Sequence, residues 1–64
     1  MTASEIREAG YHAEYYCGSC GWVPVCISEA DIDETDGTVV VVHDGEEFSV
    51  DLNDPATLRQ VPVT

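Results

Sequence analysis

Asp44-Gly45 stands between two runs of alternating residues, Thr38 to His43 and Glu46 to Leu52, and this dipeptide constrains the chain more than any other feature. A two-residue hairpin loop of type I′ needs positive φ at both central positions, and Asp-Gly is among the pairs that accept it. The loop length then sets the register. If His43 faces Glu46, Val41 faces Phe48 and Val39 faces Val50, which makes one face apolar. The other face pairs Val42 with Glu47, Val40 with Ser49 and Thr38 with Asp51. His43 thereby falls on the apolar face, at the tip of its hairpin.

A second hairpin is predicted around Cys17-Gly18-Ser19-Cys20-Gly21, with Tyr11 to Tyr16 and Trp22 to Ile27 as its strands. Two thiolates spaced C-x2-C at a tight turn can grip one metal ion, because the turn aims both sulfurs inward at about 2.3 Å from zinc. Gly21 permits the backbone conformation such turns require. The alternative is that small cysteines fill core volume. Pro24 cannot donate to a ladder, so the second strand lies at an edge or breaks near its middle.

The remaining ligands have three sources. Cys26 gives C-x2-C-x5-C, but in a regular strand it sits about five residues past the knuckle, roughly 16 Å away at about 3.3 Å per residue. It joins the site only if Pro24 folds the segment back; otherwise it is a core thiol. His43 joins if the two hairpins pack face to face; otherwise it is a satisfied, partly buried histidine. His12 ranks behind both, because a regular first hairpin pairs it with Cys26, away from Cys17. The candidate set is therefore Cys17, Cys20, Cys26 and His43, with zinc as the expected ion and iron suited to the same donors. Two chains that each give Cys17 and Cys20 to one shared ion would form a homodimer.

A chain of 64 residues has room for one domain, spanning 1–64, and buries only about 60% of the surface it exposes unfolded. Chains of this size usually need a metal, disulfides or a partner surface. Three cysteines cannot all pair within one chain, which favours a metal site over a disulfide scaffold. The apolar residues are mainly small or β-branched, so the expected fold is mostly β: two hairpins with short helical turns near the termini. Thr2-Ala3-Ser4-Glu5 fits a capping box, and Gly10 closes a short helix over residues 3–9. Asp54-Pro55 opens one helical turn through Leu58, and Val61-Pro62-Val63 is extended. Ser28 through Gly37 reads as a solvated acidic loop, since it lacks the D-x-D-x-D-G spacing of a calcium loop.

Charge narrows the partners. Lys plus Arg is 2 against 13 Asp plus Glu, a net charge of −11. Nucleic acid is unlikely as a direct partner in ordinary buffer, because phosphate binding needs cations to displace counterions. Val39 to Val42, Trp22 and three tyrosines set the chain apart from disordered acidic segments. A folded domain from a salt-adapted cell accounts for both, since molar salt screens self-repulsion. The sequence holds no apolar run of the roughly 18 residues a membrane helix needs, and its N-terminus lacks a signal-peptide pattern. The expected location is cytoplasmic, with a virion as the alternative.

Cys17 to Gly21, with the acidic composition, resembles the zinc-ribbon knuckle and, more loosely, the small one-domain zinc-finger proteins of halophilic archaea. No second C-x2-C is present, so the four-cysteine site of those proteins cannot form within one chain. The resemblance implies a zinc-stabilised interaction module. The expected function is thus a non-enzymatic, zinc-binding protein-interaction module from a haloarchaeal or haloarchaeal-virus source. One alternative is a structural component of a virion or larger assembly, with or without metal. Another is a C-x2-C thiol oxidoreductase. Reactive C-x2-C cysteines usually sit at a helix N-terminus, whereas Gly21 to Val25 is a poor helix start, and Glu14 and other anions are expected to raise a nearby thiol pKa. Tyr11, Tyr15, Tyr16 and Trp22 cluster around the knuckle, as packing or as a protein-binding hot spot.

Overall fold

The computed structural model describes residues 1–61. Six strands are present among them: β1 His12–Cys17, β2 Gly21–Cys26, β3 Ile32–Asp33, β4 Thr38–His43, β5 Glu46–Asp51 and β6 Leu58–Arg59. They form two three-stranded antiparallel sheets, ordered β2-β1-β6 and β3-β4-β5. The fold is mostly β, built on the two hairpins that the sequence predicts.

The second hairpin follows the register set by its turn. His43 pairs with Glu46, Val41 with Phe48 and Val39 with Val50. Asp44 and Gly45 both have positive φ, 53° and 76°, as a type I′ turn requires. Alternation then sorts the side chains: Val39 and Val41 are buried, while Val42 is exposed.

The same parity governs the first hairpin. Ala13 pairs with Val25 and Tyr15 with Val23 on the inner face, while Tyr16–Trp22, Glu14–Pro24 and His12–Cys26 pair on the outer face. Ala13 and Val25 are buried accordingly. Pro24 does not break β2. The strand tolerates it because β2 is an edge among the described residues, with no neighbour there to receive the missing N–H.

The two inner faces meet over a shared core of Ala3, Ile6, Ala13, Val25, Ile27, Val39, Val41, Leu52 and Leu58. Helix α1, Ala3–Glu8, adds Ala3 and Ile6 from one side of its short turn, and the Thr2/Glu5 capping box is formed at its start. The Met1 ammonium donates to the Leu52 carbonyl at 2.8 Å, which ties the start of α1 to the end of the second hairpin.

One segment departs from expectation. Ser28 to Gly37 is not a plain loop: Glu29–Asp31 forms a 3-10 turn, and β3 pairs with β4. Ile32 packs against the core there, and Arg7 reaches over to Glu29 at 2.8 Å and Glu34 at 3.1 Å. Asp54 opens the single turn expected through Leu58, its carboxylate accepting from the Ala56 N–H and its carbonyl from the Thr57 and Leu58 N–H groups at 3.2 and 3.1 Å. Leu58 closes that turn and also begins β6, where it pairs with Tyr15 and is completely buried. Of the expected extended segment, Val61 lies in no regular element, and Pro62 and Val63 lie outside the described residues.

A candidate metal centre between the hairpin tips

Cys17 ends β1 on the inner-face parity of Ala13 and Tyr15, and it pairs with Gly21 to close the knuckle. Gly18, Ser19 and Cys20 form the loop, in which the Cys20 N–H donates to the Cys17 carbonyl at 3.2 Å. Gly21 takes φ 79°, which a residue with a Cβ adopts only under strain. The chain thus turns back within three residues, and both sulfurs stay at the tip.

Ser19 is a site residue that spacing alone did not reveal. Its hydroxyl lies 3.5 Å from Cys17 Sγ and 3.8 Å from Cys20 Sγ. Hydrogen bonding by the Ser19 side chain, then by its backbone, and then by Cys20 lowers the Cys17 thiol from 9.0 to about 6. This corrects the expectation that Glu14 and other anions raise the thiol. Glu14 points along the outer face and is paired with Arg59 at 2.9 Å.

His43 ends β4 and comes from the other sheet. Its ring lies 6.1 Å from that of Tyr15, which in turn stacks on Phe48 at 5.8 Å. These aromatic contacts across the sheets hold the imidazole against the knuckle. His43 Nε2 is buried and has no hydrogen-bond partner among the described residues. An unsatisfied buried polar atom costs about 1–3 kcal/mol, so a native site normally supplies it with something.

That something fits a metal ion. The ligand atoms of Cys17, Cys20 and His43 lie within 4.8 Å of one another. A tetrahedral zinc site with sulfurs at about 2.3 Å has an edge of about 3.8 Å, so small side-chain rotations close the gap. Two soft thiols and an imidazole suit zinc in chemistry as well as in spacing.

The other sequence candidates are elsewhere. Cys26 pairs with His12 at the far end of the first hairpin, on the outer face, and both are exposed. Pro24 does not fold Cys26 back toward the knuckle. Face-to-face packing, the condition for His43, is met.

Comparison with protein-family models, curated proteins and solved structures finds no match to this chain. The reading of the site rests on its geometry and chemistry.

Proposed function

We propose that this protein is a small non-enzymatic module in which zinc, held by Cys17, Cys20 and His43, staples one β-sheet to the other and supports a protein-binding surface. The observation that carries this reading is the convergence of two thiols and an imidazole, from different hairpins, within 4.8 Å. A core composed mainly of Val, Ile, Leu and Ala is small, and a metal cross-link is a common means of holding such a domain together. The orphaned His43 nitrogen gains a partner in the same step.

The surface next to the knuckle supports an interaction role. Tyr16 is 44% exposed and meets Trp22 edge to face at 5.4 Å, while the Arg59 guanidinium sits 4.0 Å over the indole. Tyr, Trp and Arg are the side chains that most often dominate protein interfaces. The salt-adapted source is proposed from the net charge of −11, together with the pairing of both arginines to carboxylates.

Zinc titration of the reduced protein, followed by elemental analysis, tests the module. The parent should retain one equivalent per chain, and Cys17→Ser, Cys20→Ser and His43→Ala should each lose it. A parent that retains none contradicts the reading.

Thiol–disulfide exchange is a second reading, favoured by the lowered Cys17 thiol. The C-x2-C pair lies in a hairpin loop rather than at a helix N-terminus, which sets it apart from the usual oxidoreductase arrangement. Turnover of a disulfide substrate by the metal-free protein would favour this reading over the first.

A further inference from the structure

Three donors leave a tetrahedral ion one position short, and among the described residues Cys17, Cys20 and His43 form the one close-set donor group. The residue after His43 offers a fourth donor. Asp44 Oδ2 lies 3.7 Å from His43 Nε2, beyond hydrogen-bond distance but close to the separation of two ligand atoms around one ion.

Among the described residues the turn residue Asp36, like Asp44, makes no side-chain bond to a backbone N–H, but three other aspartates do. Asp33, Asp51 and Asp54 each spend a carboxylate oxygen on a backbone N–H two residues on. Asp44 makes no such bond among the described residues, and its side chain is 85% exposed beside an unpartnered buried nitrogen. Its carboxylate is free to rotate, and it is anchored at φ 53° in a turn that fixes its backbone beside the imidazole. We propose that Asp44 supplies the fourth ligand through a carboxylate oxygen, an inference that rests on the metal reading of Cys17, Cys20 and His43. The site then has two sulfurs, one nitrogen and one oxygen.

A turn role and a ligand role make opposite demands on this position. Asn-Gly serves a type I′ turn as well as Asp-Gly does, and glycine also accepts positive φ, so Asp44→Asn and Asp44→Gly keep the hairpin and remove the charged donor. Cobalt(II) titration of the full chain and of both variants reads the result. The parent should show a thiolate-to-cobalt charge-transfer band and the visible absorption of a tetrahedral ion. Both variants should keep the charge-transfer band while binding cobalt about tenfold more weakly or worse, the lower end of what even outer-shell partners contribute. Added imidazole should change the variants' visible spectrum more than the parent's. If both variants bind within about twofold of the parent, with unchanged spectra, Asp44 is only a turn residue and the three-donor site stands. A parent without the charge-transfer band overturns the three-donor site itself, and half an equivalent of cobalt per chain replaces Asp44 with the cysteines of a second copy.

Discussion

Cys17 and His43 terminate strands of different sheets, yet their ligand atoms lie within 4.8 Å because each sits at the tip of its hairpin on the face turned to the shared core. The donor cluster is therefore a consequence of how the sheets pack, and an ion held by it would couple the two hairpins. A variant that disturbs either tip should be felt at both.

Cys26 provides the contrast. It is exposed, on the outer face and at the opposite end of its hairpin, so Cys26→Ser should leave zinc stoichiometry unchanged and alter stability by less than about 0.5 kcal/mol. Cys17→Ser should lose the metal and with it the folded state, since structural zinc contributes about 10–16 kcal/mol in finger-like peptides. Parallel zinc analysis and chemical denaturation check both. Loss of zinc in Cys26→Ser would place the thiol in the site.

Gly45→Val should destabilise the protein by roughly 1–3 kcal/mol, because a β-branched residue resists the left-handed region. No atom crowds the position, so the cost comes from φ 76° alone. Gly45→Asn should cost less. Thermal melts of the two variants provide the measurement, and equal stability of valine and parent would contradict the turn assignment.

Acid should loosen the strap between α1 and the 3-10 turn. The Arg7 hydrogen bond holds the Glu29 carboxyl below its ordinary 4.5. A group depressed in the folded state contributes stability above its unfolded pKa, and that contribution is lost as pH falls through the folded value. The pair's contribution should thus be intact above about pH 4.5 and disappear below it. Arg7→Gln should flatten this part of the acid limb in melts taken from neutral pH downward. A limb of unchanged slope would show that the strap contributes nothing to acid stability.

Salt should stabilise the fold. With a net charge of −11, self-repulsion grows as the Debye length lengthens from about 3 Å in molar salt to about 10 Å at 0.1 M. The melting temperature of the zinc-loaded protein should fall over that range. A flat profile would contradict the salt-adaptation argument.

Much of this architecture was legible in the sequence because period-2 patterning and turn chemistry act locally. Asp44-Gly45 set the register of β4 and β5, and that register put His43 on the inner face. The short strands β3 and β6 were not legible, since Ile32 and Leu58 are single apolar residues whose burial depends on partners distant in sequence. Ser19 and Asp44 carried no signal of a site role for a similar reason. Serine and aspartate are ordinary turn residues, and only the folded chain brings the first against two sulfurs and the second against an imidazole. Cys26 looked eligible by spacing, and strand parity places it on the outer face, away from the knuckle.

The metal site is tested most directly by zinc K-edge X-ray absorption of the zinc-loaded parent. The account predicts two sulfur scatterers at about 2.3 Å, two lighter scatterers at about 2.0–2.1 Å and the outer-shell signature of one imidazole. Three or four sulfur scatterers would contradict it by bringing in Cys26 or a second chain, and a protein that takes up no zinc would contradict it outright.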